Sequence, residues 1–145
     1  MPEEQGYRIP DVLRLARITY RQLDYWARTS LVRPSVRDAE GSGTQRLYSF
    51  EDVLQLKLIK QLLDTGVSLQ KVRPAIEYLR ANGRAPQSAT LLSDGRRIFL
   101  VESPEEIYDL MKNGQGVFAI DIEPIRSDLQ RAVEKRARAS RAGGA

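Results

Sequence analysis

The sequence predicts a mainly α-helical protein with a small amount of β structure. Capped helix starts at Thr19 and Ser49, together with apolar residues at three- and four-residue spacing, indicate helices. Glycine-containing turns at 41–43 and at Asp94-Gly95, each between short apolar segments, indicate β-hairpins. A chain of 145 residues can bury one core, or one small domain with an appendage.

Two helices are expected near the start of the chain. The first begins at Ile9-Pro10-Asp11, because proline fits the first turn of a helix and an acidic residue there favours the helix dipole. The second runs from Thr19 to about Thr29. It starts with a capping box, Thr19-Tyr20-Arg21-Gln22, in which the side chains of the first and last residues bond each other's backbone N–H groups.

The second helix has two faces of different chemistry. Its apolar face carries Leu23, Trp26 and Ala27. Its polar face, roughly 140–200° away from Leu23 at 100° per residue, carries Arg21, Tyr25 and Arg28. We expect the apolar face, including Trp26, to pack on the core and the polar face to reach the groove of a nucleic acid.

A wing and a long helix are expected next. The segments Val36-Arg37 and Arg46-Leu47-Tyr48 flank the turn at 41–43, as two short strands of a wing would. Ser49 caps a third helix whose apolar residues indicate a core position. Gly66 is placed to end that helix.

A fourth helix is expected from Ser68 to Asn82. Pro74 lies inside it and removes a backbone donor, so either a kink or a later start is predicted. Together these elements predict a winged helix-turn-helix of four helices and a two-stranded wing.

A second, smaller unit follows. A hairpin is expected over 91–100, then a helix from Ser103 to about Gly114 and a strand from Val117 to Ile122, which gives a ββαβ unit. A last helix begins at Pro124 and ends near Arg136. Its apolar stripe is too narrow to stand alone in water and consists of Ile125, Leu129, Ala132 and Val133.

The predicted organisation has four parts. Residues 7–82 form the winged helix-turn-helix, 83–87 a linker, 88–136 the ββαβ unit with the last helix, and 137–145 a flexible tail.

Composition excludes several classes of function. The chain has no Cys and no His, so thiolate metal sites, iron–sulfur clusters and most familiar catalytic machinery are excluded, and no cofactor is expected. Without a signal-peptide pattern at residues 1–6 or a long apolar segment, the expected location is the cytoplasm, at the nucleoid. Between Arg8 and Arg46 all eight basic residues are Arg, the side chain best suited to phosphate and guanine.

Several blocks of this sequence together resemble one family. They are Tyr7-Arg8-Ile9, Ile18-Thr19-Tyr20-Arg21-Gln22-Leu23-Asp24-Tyr25-Trp26, Leu31-Val32-Arg33-Pro34, Arg46-Leu47-Tyr48-Ser49, Asp52-Val53 and Gly66-Val67-Ser68-Leu69. In order and spacing they are similar to the DNA-binding domain of the MerR family of transcription regulators, over roughly residues 7 to 80. The resemblance implies that the second helix enters the major groove, that the wing holds the DNA backbone, and that a dimer binds a palindrome.

The resemblance also implies roles for individual residues. Tyr20, Arg21 and Tyr25 match the family's recognition-helix positions, and Arg46 and Tyr48 match wing positions that hold phosphate. Arg17 and Arg28 are further candidates for DNA contacts, with a solvated surface as the alternative for each.

Two residues depart from the family pattern. Asp24 stands where the family usually has an Arg directed at phosphate, and Ser30 replaces the usual turn Gly. Asp24 is within one helical turn of Arg21 and Arg28, so it could pair with either and orient it for bases.

The function predicted from these observations is a sequence-specific regulator that binds palindromic promoter DNA as a homodimer. Dimerisation is expected through the hairpin edge or the Ile125/Leu129/Val133 stripe. Residues 88–136 could instead dock a protein partner, with autoregulatory DNA binding, or take up a small-molecule effector. No membrane association and no enzymatic activity are expected.

Overall fold

A computed structural model of the chain describes residues 6–38, 45–81, 90–93, 98–101 and 118–143. It confirms a mainly α-helical fold with a small amount of β structure. The helices of the described part are α1 (Ile9–Ala16), α2 (Tyr20–Arg28), α3 (Phe50–Asp64), α4 (Leu69–Ala81) and α5 (Ile122–Gly143). Its strands are β1 (Thr90–Ser93), β2 (Ile98–Val101) and β3 (Phe118–Asp121).

The capping boxes of α2 and α3 are both formed. The Gln22 backbone N–H donates to Thr19 Oγ1 at 3.1 Å, and the Thr19 N–H donates to Gln22 Oε1 at 3.0 Å. At α3, Asp52 N–H donates to Ser49 Oγ at 3.0 Å and Ser49 N–H to Asp52 Oδ2 at 2.9 Å. Four orphan N–H groups at two helix starts are thereby satisfied by neighbouring side chains.

The ends of α3 and the start of α4 follow the predicted pattern. Gly66 has φ +98, a left-handed conformation that costs glycine nothing, and it follows the last turn of α3. α4 begins at Leu69, with the Ser68 carbonyl accepting from Lys71 and Val72. Pro74 lies within α4, so the alternative of a later start is wrong.

The two predicted wing segments pair with each other in the described part of the chain. Arg37 and Leu47 form an isolated antiparallel bridge, and residues 39–44 at the predicted tip lie outside the described part. A second bridge joins Tyr7 to Tyr48, with N–H to O distances of 2.7 and 3.0 Å. The segment before α1 therefore supplies a third partner to the base of the wing.

The described strands of the second unit form one antiparallel sheet in the order β2-β1-β3. Leu91 on the central strand lies opposite Leu100 on one side and Ile120 on the other. The Thr90 hydroxyl donates to Asp121 Oδ1 at 2.6 Å, which ties β1 to the end of β3. The predicted linker, the turn at 94–97 and the helix from Ser103 lie outside the described residues.

The last helix is longer than predicted at both ends. α5 begins at Ile122 rather than Pro124, which leaves the proline in the first turn where its missing N–H costs nothing. It continues to Gly143, past Arg136, because Ala, Arg and Lys are strong helix formers. The described helices include none with the length and apolar character needed to cross a lipid bilayer.

The apolar stripe of α5 packs on the chain's own core. Ile125 and Leu129 are buried in the same cluster as apolar residues of α1, α2, α3 and α4, and Ala132 and Val133 pack against it. The hypothesis that this stripe pairs with a second copy of the chain is therefore wrong for the stripe. The amphipathic helix required a partner surface, and α1 and α3 provide it.

Two ion pairs fasten α5 to the first and third helices. Arg126, which is buried, pairs with Glu51 in the first turn of α3. Further along, Arg136 Nη2 lies 2.5 Å from Asp11 Oδ1 in α1. The two predicted units thus share one interior and are joined by charged contacts at its margin.

Candidate nucleic-acid interface

The polar face of α2 is exposed. Tyr20 is 55% and Tyr25 46% exposed, although large aromatic side chains are normally buried for the most part. Arg21 is exposed beside them and forms no ion pair within the described residues. Two tyrosines and an arginine therefore project from one short helix into solvent, where they are free to contact a ligand.

The opposite face of α2 fixes the helix in place. Leu23 is fully buried and Trp26 is 3% exposed, both within the main apolar cluster. Burying two such side chains stabilises the helix position by about 2–3 kcal/mol each. The exposed face is thus presented from a rigid support.

Arg17 and Arg28 flank this face at its two ends. Arg17 is the C-cap of α1, with φ +59, and lies exposed in the turn that leads into α2. Arg28 is the last residue of α2, and its side chain is 65% exposed.

Asp24 joins two arginines from different elements. Its Oδ2 accepts from Arg28 Nε at 2.8 Å, and its Oδ1 lies 3.0 Å from Arg46 Nη2 of the wing. Hydrogen bonds from Arg28 and Arg46 hold the pKa of Asp24 below its usual value. The sequence predicted that Asp24 pairs with either Arg21 or Arg28. In the structure it pairs with Arg28 and also with Arg46.

Arg46 lies mostly inside the protein. Only 15% of its side chain is exposed, and its Nη1 is buried with no hydrogen-bond partner among the described residues. Burial acts to lower the pKa of Arg46, but the hydrogen bond to Asp24 and neighbouring phenols raise it overall. The phosphate contact implied by the resemblance is therefore restricted to a small exposed part of this guanidinium.

Tyr48 does not form part of the exposed surface. Its side chain is 0% exposed, and its hydroxyl has no partner in the described part of the chain. Burial raises the pKa of Tyr48 to about 12. The predicted phosphate contact by Tyr48 does not fit this burial, because the antiparallel bridge to Tyr7 turns the side chain into the core.

A buried carboxylate organises the base of the wing. Asp52 is 2% exposed, and its Oδ2 accepts from Ser35 N–H at 2.8 Å, from Ser35 Oγ at 2.7 Å and from Ser49 N–H at 2.9 Å. Its Oδ1 accepts from Arg80 Nη1 of α4 at 2.9 Å. The capping pattern signalled the bond to Ser49, but nothing local in the sequence indicates Ser35 or Arg80.

The turn after α2 carries backbone strain. Ser30 has φ +64, a left-handed conformation that favours glycine. Arg73 of α4 holds the preceding residue, with Nη2 2.7 Å from Thr29 Oγ1 and Nη1 3.2 Å from its carbonyl oxygen. This long-range anchor fixes the position of the turn after α2.

An open cleft of about 710 Å³ lies between the start of α3 and the first half of α5. It is lined by Phe50, Glu51, Glu123, Arg126, Ser127, Gln130 and Arg131. In the part of the chain that the structure describes, no three His, Cys, Asp or Glu side chains come together as metal ligands.

Sequence comparison relates this chain to helix-turn-helix regulators. Residues 7–79 match the sequence profile of the family described as MerR HTH family regulatory protein. An HTH-type transcriptional regulator of Mycobacterium tuberculosis is 53% identical over 131 residues, which cover 89% of this chain and 58% of that protein. This chain thus spans little more than half the length of that relative.

Two further relatives differ in how far the similarity extends. The nodulation protein NolA of a Bradyrhizobium species is 27% identical over 140 residues, 93% of this chain and 56% of NolA. The regulator GlnR of Bacillus cereus is 34% identical over 65 residues, 45% of this chain and 47% of GlnR. Only the first two of these three similarities are long enough to include the sheet and α5. The family profile, matched over half of the sequence, shows that this chain belongs to the MerR family of helix-turn-helix regulatory proteins.

Proposed function

We propose that the chain is a sequence-specific transcription regulator that binds palindromic promoter DNA as a homodimer, at the nucleoid in the cytoplasm. The observation that carries this proposal is the exposed face of α2, where Tyr20, Arg21 and Tyr25 project from a helix held by its buried side. Membership of a regulator family supports the same conclusion.

The chemistry of this face suits the major groove of DNA. An α-helix fits that groove, and an arginine can donate two hydrogen bonds to the O6 and N7 atoms of guanine. Arg21 is the residue that we assign to a base edge, since it is exposed and is not engaged by a carboxylate in the described structure. Tyr20 and Tyr25 offer hydroxyl donors for phosphate and ring surface for thymine methyl groups.

Arg17 extends the contact to the DNA backbone, and Arg28, at the other end of α2, extends it to the base edges. Arginine side chains that neutralise phosphates release counterions, so binding is expected to weaken steeply as the salt concentration rises. In this proposal Arg46 acts mainly by supporting α2, and Tyr48 acts only as part of the core.

Dimerisation is assigned to the sheet, because the α5 stripe is used within the chain. β2 and β3 are the edges of the described sheet, and an edge strand can pair with its symmetry mate. The half-sites of the operator would then lie a whole number of helical turns apart, about 34 Å for each turn. Sedimentation of the full chain, alone and with a selected duplex, measures the stoichiometry; one chain per duplex would refute the dimer.

The test of DNA recognition starts with duplexes selected from a random pool by the full chain. Arg21→Ala is expected to lose about 1–3 kcal/mol of discrimination at one base position while the protein stays folded. The control is Lys71→Ala, which removes the same charge from an exposed position on α4. Equal binding of selected and scrambled duplexes by the unmodified chain would refute the proposal.

Residues 88–136 remain the predicted place for a protein partner or a small-molecule effector. The cleft between α3 and α5 lies partly within this range. Calorimetric titration of the cleft variant Gln130→Ala beside the unmodified chain would locate an effector once one is known.

A further inference from the structure

Asp24 places a negative charge on the face of α2 that carries the proposed DNA contacts. A carboxylate there repels phosphate, so on charge alone it opposes DNA binding. The structure shows what the charge does in the free protein: one oxygen binds Arg28 Nε at 2.8 Å and the other lies 3.0 Å from Arg46 Nη2. Asp24 thereby links the last turn of α2 to the wing.

The two arginines differ in their burial. The Arg46 side chain is 15% and the Asp24 side chain 24% exposed, whereas the Arg28 side chain is 65% exposed. An ion pair shielded from water is screened less than one on the surface, so the Arg46 side of the bridge is the firmer one. Asp24 is therefore held mainly by Arg46 of the wing, and its other carboxylate oxygen holds the more exposed Arg28.

The atoms used at Arg28 matter for what this residue can still bind. Asp24 engages Nε, so the two terminal amino groups of Arg28 are left to donate elsewhere. A guanidinium fixed through Nε loses less conformational freedom when it binds DNA than a free arginine side chain does.

Resting on the proposed DNA-binding function, we propose that Asp24 is a positioning residue that couples the wing to the recognition helix and orients Arg28 toward the DNA. It gives discrimination between sequences and lowers the affinity for DNA in general.

The test uses Asp24→Asn, which keeps the shape of the side chain and removes its charge. The full-length variant and the unmodified chain are titrated against a selected and a scrambled duplex by fluorescence anisotropy at two salt concentrations. We expect the affinity for the scrambled duplex to stay equal or to rise, and the ratio of the two affinities to fall about tenfold. The control is Glu77→Gln on α4, which removes an equal charge from an exposed position and should leave the ratio unchanged.

A second variant separates positioning from a general effect on charge or folding. In an Arg28→Ala background, Asp24→Asn should produce no further fall in the ratio, because the residue through which it acts is gone. Arg28 is mostly exposed, so its replacement is not expected to unfold the chain. Melting temperatures of all variants are measured alongside.

A third readout needs no DNA. The Nε–H signal of Arg28 in nitrogen-15 spectra of the free chain should show slower exchange with water than that of Arg21, and Asp24→Asn should remove the difference. An unchanged affinity ratio in Asp24→Asn, an equal fall in the Arg28→Ala background, or equal exchange at the two arginines would each overturn the inference. A parent chain that binds both duplexes equally would overturn the DNA-binding proposal instead, while the exchange measurement still decides whether the bridge exists.

Discussion

Arg126 of α5 pairs with Glu51 in the first turn of α3, and this pair closes one side of the interior shared by the two units. Its Nη2 lies 3.3 Å from Glu51 Oε1, in addition to the closer contact through Nη1. The Arg126 side chain is 7% exposed and that of Glu51 28%. The attraction between Arg126 and Glu51 is therefore screened less by water than that of an ion pair on the surface.

Replacing Glu51 by Gln removes the carboxylate charge that pairs with the buried Arg126. We expect Glu51→Gln to lower the free energy of unfolding by about 3 kcal/mol, as removal of one partner of a buried pair does. The matched control is Asp128→Asn, which breaks the exposed pair of Asp128 with Arg131 on the same helix and should cost less than about 0.5 kcal/mol. Urea denaturation measures both, and equal effects would show that burial does not govern the Glu51 pair.

Leu129→Ala tests whether α5 belongs to the core of its own chain. Leu129 is 0% exposed, so the substitution should cost about 2–5 kcal/mol, and Val133→Ala, at a half-buried position, should cost less. A loss of stability in Leu129→Ala that disappears at high protein concentration would assign the stripe to a dimer contact instead.

Tyr48→Phe separates a core role from a DNA contact. Because the Tyr48 hydroxyl is buried without a partner among the described residues, its removal should leave stability equal or slightly higher and DNA affinity within about twofold. A tenfold loss of affinity would restore the phosphate contact that the family resemblance implies.

Tyr48 also predicts how stability responds to alkali. Its pKa is raised to about 12 in the folded chain, so the folded state retains this proton when the unfolded state has lost it. The stabilisation is therefore complete below about pH 10, the pKa of an unperturbed tyrosine, and is lost as the pH rises toward 12. Ultraviolet absorbance titration should show a late-ionising tyrosine that is missing in Tyr48→Phe.

Asp52→Asn tests the carboxylate at the base of the wing. The amide keeps only one accepting oxygen, so either the bonds from Ser35 and Ser49 or the bond from Arg80 loses its acceptor, and Arg80 loses its countercharge. We expect a loss of about 3–5 kcal/mol in the free energy of unfolding. Asp64→Asn on the same helix breaks an exposed pair with Lys60 and should change stability by less than about 0.5 kcal/mol.

Ser30→Gly should stabilise the chain. Ser30 adopts φ +64, which costs a residue with a Cβ about 1–2 kcal/mol, and part of that gain is offset by the greater freedom of glycine in the unfolded chain. A net gain of about 0.5–1 kcal/mol is expected from thermal unfolding. Ser30→Ala serves as the control, since alanine keeps the Cβ and should bring no gain.

Structural features that depend on residues only three or four positions apart could be predicted from the sequence. The capping boxes at Thr19 and Ser49, the glycine stop after α3 and the two faces of α2 depend on local spacing, and the structure contains all of them. The pairing of Asp24 with Arg28 belongs to the same class, because residues four apart meet on a helix.

Features that depend on distant residues were beyond the sequence pattern. Arg46 reaches Asp24 across 22 positions, and Arg80 reaches Asp52 across 28. The burial of Tyr48 escaped prediction because the wing is too short for alternation to fix which side chains point inward. The stripe of α5 showed that the helix needs an apolar partner, but an amphipathic pattern does not tell the chain's own core from a second copy.

The packing of α5 against α1 and α3 limits how this regulator can be recombined with other proteins. In a chimera that carries only residues 7–82, the surface that receives Ile125 and Leu129 would face water. Such a fusion would expose an apolar patch, which favours aggregation, in addition to the proposed DNA-binding face. A fusion protein should therefore include the chain through the end of α5, with any added domain joined after that helix.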